Sequence, residues 1–134
     1  MRSTLLVAFI AVLSLQMSAA REIRRDAIPE SFWGTWAPST AGCNDADKSP
    51  VVLSAKSYAG PAGRCVVDFV MEVPGRDSAI YSAHMSCSGS PPQAGTMVNL
   101  IMRPDTAEQI SLGTAFDNLA MHRRCPAGEP AKQR

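Results

Sequence analysis

Aromatic side chains are scarce in this chain, with two Trp, two Tyr and four Phe among 134 residues. With nine glycines and ten prolines alongside them, this disfavours a helical bundle and suits short segments joined by many turns. Net charge is nearly absent as well. Thirteen Lys and Arg face twelve Asp and Glu, which argues against a nucleic-acid partner, since that needs a basic field, and against electrostatic docking on anionic lipid. The chain has no G-x-S-x-G nucleophile elbow, and its glycines are scattered among prolines rather than set between a strand and a helix to cradle phosphate. No C-x-x-C or C-x-x-H pair marks a zinc site, and no solenoid period repeats. The resulting expectation is a protein that is not an enzyme and carries no metal or cofactor.

What is present begins with an address. Arg2 supplies a positive start, Leu5 to Leu15 an apolar core too short to span a bilayer, and Ser18-Ala19-Ala20 the small residues of a cleavage site. Residues 1–20 therefore read as a signal peptide, cut after Ala20, with no stable membrane anchor left behind. Losing Arg2 balances basic and acidic side chains in the mature protein. The predicted location is periplasmic or secreted.

Four cysteines remain after the signal: Cys43, Cys65, Cys87 and Cys125, spaced by 22, 22 and 38 residues. An even number in an oxidising compartment reads as two disulfides, each restricting the unfolded state. Zinc would want closer pairs, and an exported thiol nucleophile with His84 or His122 as base is a poorer account than a disulfide.

Residues 21–30 are charged and poor in large apolar side chains, so they read as a flexible lead-in. Residues 126–134 read as a disordered tail, leaving 31–125 as the single domain. Within it, segments alternate with the period of half-buried strands. Val67, Phe69, Met71 and Val73 form one apolar face, opposite Asp68 and Glu72. Tyr81, Ala83, Met85 and Cys87 oppose Ser82, His84 and Ser86, while Val98, Leu100 and Met102 oppose Asn99, Ile101 and Arg103. Val51, Leu53 and Ala55 form another face. Phe32-Trp33-Gly34-Thr35-Trp36 reads as the first strand, and Leu119, Met121 and Arg123 oppose Ala120, His122 and Arg124 in the last. Glu108 to Leu112 reads as a further strand, with a short helix opening at Asp105 as the alternative. The fold class is all-β: a small antiparallel up-and-down barrel or sandwich of six to eight strands. Strand polarity places Cys65 and Cys87 at one end of a hairpin, and Cys43 and Cys125 together elsewhere, so the predicted pairs are Cys65–Cys87 and Cys43–Cys125.

Gly34-Thr35-Trp36 resembles the G-x-W opening strand of calycin-like barrels, a group that includes the lipocalins and a family of small bacterial metalloproteinase inhibitors. That resemblance implies that Trp36 closes one end of the barrel, with Gly34 beside it and a basic residue of the last strand, Arg123, packed across the indole. The sequence also resembles short exported four-cysteine alphaproteobacterial proteins of unknown function, which implies a compartment and little else.

Trp33 alternates away from Trp36, so it is expected on the surface or under the N-terminal segment, as a contact residue for a partner. His84 and His122 fall on polar strand faces and would meet only if their strands were neighbours. Asp45 and Asp47 share the loop of Cys43, and solvation of that loop accounts for them better than calcium does. The function expected is that of a small exported binding protein with a protein partner, contacted through its loops; inhibition of a secreted or envelope hydrolase is the sharpest form. An envelope structural or stress-related protein and a small hydrolase with an unrecognised site are the alternatives.

Overall fold

A computed structural model describes residues 21–45, 50–88 and 96–126. The expected signal peptide and the tail beyond Pro126 lie outside the described residues. Among the described residues nine strands follow one another: β1 (Ile23–Arg25), β2 (Gly34–Ala37), β3 (Val51–Leu53), β4 (Ser57–Gly60), β5 (Gly63–Val73), β6 (Ile80–Ser88), β7 (Thr96–Thr106), β8 (Gln109–Gly113) and β9 (Ala120–Arg124). Among the described residues, three short 3-10 segments, Glu30–Phe32, Thr40–Asn44 and Phe116–Asn118, lie between them.

Strands β2 to β9 pair antiparallel with their sequence neighbours, and β2 also pairs with β9, so eight strands close into a barrel. The ninth, β1, adds to the edge of β5: β4 pairs with Gly63 to Val66 of that strand, and β1 takes the same edge further on, at Val70 to Glu72. Residues 21–30, expected as a mobile lead-in, are therefore part of the fold. Ile28 is buried, and its N–H donates to Ala55 O at 2.9 Å. One apolar residue at a fixed point anchors this otherwise charged segment, and composition over ten residues does not register it.

The interior is filled. Trp36, Phe32, Ile28, Leu53, Val67, Val70, Met85, Met102 and Ile110 form one continuous buried cluster, with Ala83, Leu100 and Leu112 among them. The expected inward faces of β3, β6 and β7 are the ones that point in.

Strand β5 departs from simple alternation. Val67 pairs with Met85 and Phe69 with His84, so Asp68 is an extra residue, a β-bulge. Val67 and Val70 both face the core, while Phe69, Met71 and Val73, expected inside, turn outward with their strand. Asp68 itself accepts a 2.8 Å hydrogen bond from Ser86 Oγ across the strand pair. A charged residue that would rather meet water than the core is where the extra residue sits.

Both disulfides join the expected partners, Cys65–Cys87 and Cys43–Cys125. The first links residues directly opposite each other on β5 and β6. The second ties the turn after β2 to the residue after β9, beside the seam where the barrel closes. Two such bonds are consistent with an oxidising, extracellular compartment.

Candidate functional site

Gly34, Trp36 and Arg124 come together where β2 meets β9. Trp36 is fully buried and its indole Nε1–H donates to Phe32 O at 2.8 Å. The Arg124 guanidinium lies 4.3 Å from the indole centroid. Its Nη1 donates to Trp33 O at 2.8 Å and its Nη2 to Ser31 O at 2.9 Å, so one cation roofs the tryptophan and holds the preceding 3-10 turn. Gly34 has φ +125°, a conformation that favours glycine, and a Cβ there would come within 3.3 Å of Arg124 Nη1. The residue over Trp36 is thus Arg124 and not Arg123. Trp36 pairs with Arg124 and Ile110 with His122, so the even-numbered residues of β9 share the core-side face and Met121 points out. Leu119 and Met121 suggested the opposite face because His122 and Arg124, on the core-side face, are amphipathic and Ala120 is small.

Trp33 is 39% exposed, and its indole N–H donates to Ile28 O at 2.8 Å. It is both a surface residue and a clasp on the N-terminal segment. Phe32 beside it packs edge-on to Tyr81, with ring centroids 5.1 Å apart.

The outer wall formed by β5, β6 and β7 carries a three-part stack. Phe69 lies parallel to the His84 ring at 4.3 Å, and the Arg24 guanidinium sits 3.9 Å from the Phe69 centroid. Because β6 and β1 flank β5 on opposite sides, the phenyl ring is held between imidazole and cation. One row further, Val66, Ser86 and Met97 stand side by side, and Val66 and Met97 are among the most exposed large apolar residues. His84 and His122 stay apart: β7 and β8 separate their strands, and the two residues belong to opposite faces of the wall.

Two polar clusters fasten strands. Ser111 is buried; its Oγ donates to Asp105 Oδ2 at 2.6 Å and lies 3.2 Å from Arg103 Nη2, which in turn reaches Asp105 through Nε. Arg25 pairs with Glu72, whose other oxygen is 3.4 Å from Tyr81 Oη, so β1, β5 and β6 meet in one polar knot. Burial, then the Glu72 carboxylate, push the Tyr81 phenol above its ordinary range, against an opposing pull from Arg25. Burial also raises Tyr58, partly offset by the Ala62 N–H.

Arg123 points elsewhere, to an outer recess of about 130 Å³ that it shares with Thr40, Cys43, Glu108, Gln109 and Arg124. Of the two loop carboxylates, Asp45 has interactions of its own and Asp47 lies outside the described residues. Among the described residues no three His, Cys, Asp or Glu side chains converge as a metal site would require.

Sequence reasoning missed Phe69, Arg24 and Arg124. Phe69 was hidden by the bulge, Arg24 by its place in a segment expected to be mobile, and Arg124 by a one-residue error of face. The protein matches no protein-family model, no curated protein and no solved structure.

Proposed function

We propose that this is a periplasmic or secreted binding protein, without enzymatic activity, whose partner is a protein, and that its sharpest role is inhibition of a secreted or envelope hydrolase. The filled interior carries this reading. Trp36, Phe32, Ile28, Met85 and Met102 occupy the space that a ligand-carrying barrel would leave open. Whatever this molecule binds, it binds from outside, by presenting a rigid surface that loses little ordering entropy on association. The loops and the pinned Trp33 are one part of that surface. The outer wall of β5 to β7 is the other: Val66 and Met97 are 61% and 60% exposed, beside a Phe69 turned out by the bulge. Arg24, at its margin, makes no ion pair among the described residues, so the partner's surface there is apolar with a carboxylate to meet it. The cation over Trp36 supports kinship with calycin-like barrels, with Arg124 in the place given to Arg123.

The test is titration of the mature protein into periplasmic and culture-fluid hydrolase assays. Stoichiometric inhibition of one activity, weakened at least tenfold by Val66→Asp or Arg24→Glu with unchanged melting temperature, is expected. Inhibition of nothing across protease, glycosidase and esterase substrates would sink the inhibitor reading. Substrate turnover abolished by His84→Ala or His122→Ala would make the protein an enzyme.

A further inference from the structure

We infer that the recess beside the Cys43–Cys125 disulfide is a binding site for a carboxylate group. It lies outside the barrel, where the 3-10 turn carrying Thr40 and Cys43 folds back over β2. Ala37 of β2 is fully buried beneath that turn, and Gly42 comes so close to it that a Cβ on the glycine would sit 3.2 Å from the Ala37 Cβ. Thr40 and Cys43 contribute one part of the lining and β8 and β9 the rest, through Gln109 and Arg123, which are directly paired. The disulfide links Cys43 to the residue after β9, so the recess keeps its width without a ligand.

The two arginines of the lining play different parts. Arg124 directs its donors to Ser31 O, Trp33 O and Ala107 O and lies over Trp36. Among the described residues Arg123 has no side-chain hydrogen bond or ion pair, whereas Arg25, Arg103 and Arg124 each face a carboxylate. A free guanidinium presents a planar fork of N–H donors matched to the two oxygens of a carboxylate. Thr40 and Gln109 line the same space, and both residue types can supply neutral donors.

Charge selects among anions. With Arg123 and Arg124 positive and Glu108 negative, the lining carries one net positive charge, and the Glu108 carboxylate, 4.0 Å from Arg124 Nε, repels a second negative charge. A monoanion fits this balance better than hydrogen phosphate or sulfate. The volume corresponds to about four waters, enough for a carboxylate and its first carbons. Two sources share that chemistry: a small free carboxylic acid and the C-terminus of a peptide. The inference is independent of the proposed protein partner, because the recess lies on β8 and β9 and not on the outer wall of β5 to β7.

The experiment is a 15N-correlation titration of the mature protein with acetate, with N-acetyl-glycylglycine, with the amide of that peptide, and with sulfate, at constant ionic strength set by chloride. Saturable shifts confined to Thr40, Cys43, Gln109 and Arg123 are expected with the two carboxylates and at least tenfold weaker with the amide and sulfate. Tighter binding of the peptide acid than of acetate assigns a peptide C-terminus as the ligand; equal binding assigns a small free acid. Arg123→Gln, on an exposed side chain, is expected to abolish the shifts while the melting temperature stays put. Glu108→Gln is expected to strengthen acetate binding and to admit sulfate. Shifts that persist in Arg123→Gln, that the amide reproduces, or that fail to appear with either carboxylate overturn the assignment.

Discussion

Replacing Arg124 with alanine removes the cation 4.3 Å from the Trp36 ring and two hydrogen bonds to Trp33 O and Ser31 O, besides two longer and weaker contacts, to Ala107 O at 3.4 Å and to the exposed Glu108 carboxylate at 4.0 Å. A cation over a ring is worth about 0.5–1 kcal/mol when exposed and about 2 when desolvated. Arg124 keeps 30% of its side chain in solvent and Trp36 none, so about 1 kcal/mol is apt. Charge-assisted hydrogen bonds contribute about 1.5–3 kcal/mol at best. At this exposure water replaces part of each, leaving about 1 kcal/mol apiece. The loss is then about 3 kcal/mol, and in a domain of this size that lowers the melting temperature by roughly 12–24 °C. Arg123→Ala, one residue earlier, is expected to stay within about 0.5 kcal/mol of the parent. Arg124→Lys keeps the charge but loses the fork, so it should fall between the two. Reversible thermal unfolding of the disulfide-intact protein followed by circular dichroism measures all three. Equal losses for Arg123→Ala and Arg124→Ala, or a larger one for Arg123→Ala, would refute the face of β9 described above and the role of the arginine with it.

Phe32→Ala, which removes a buried ring packed edge-on to Tyr81, is expected to cost about 3–5 kcal/mol by denaturant unfolding, and a loss below about 0.5 kcal/mol would contradict its place in the core. Both tyrosines of the protein should ionise above their ordinary value of about 10, readable from phenolate absorbance. Above that value the unfolded state releases protons that the folded one keeps, so the stability supplied by the raised pKa values is whole below about pH 10 and is lost as pH rises through the folded values. Tyr81→Phe and Tyr58→Phe should each flatten this alkaline decline, and an unchanged slope in both would contradict the directions assigned to them. Replacing Cys43 and Cys125 by alanine should destabilise more than replacing Cys65 and Cys87, by about 1 kcal/mol in the loop-entropy account, because the first bond closes 82 residues and the second 22.

Strands β2, β3 and β5 to β9 and both disulfides were legible in the sequence because each rests on a signal that extends over several residues, whereas β1 and the four-residue β4 were not. Alternation in Tyr81 to Cys87 or Val98 to Met102 is repeated often enough to fix the inward face, and two cysteines at matching ends of a hairpin define their own partner. The misreadings share a different cause, since each turns on a single residue. Asp68 inserts one position and reverses everything after it in β5. Strand β9 is five residues long and its inward positions are Ala120, His122 and Arg124, so polarity pointed the wrong way. Ile28 is the one large side chain that a segment of tail-like average composition buries in the core. The outer stack of Arg24, Phe69 and His84 and the recess at Arg123 inherit these errors, because each depends on which way a strand faces.

The seam between β2 and β9 also dictates a timetable. Trp36, near the start of the domain, has its strand partner and its cationic roof in Arg124, and Cys125 N–H bonds Thr35 O across about ninety residues of sequence. A polypeptide delivered N-terminus first can assemble the hairpins of β3 to β8 as they emerge, but β2 has no second neighbour until β9 arrives. For that interval the indole, Phe32 and the unpaired edge of β2 wait in the open, exposed to any other polypeptide with a strand to offer. Strand β9 and the cysteine after it therefore act as the latch of the whole molecule, and a polypeptide stopped just short of Arg124 would lack that latch even with eight of its nine strands complete.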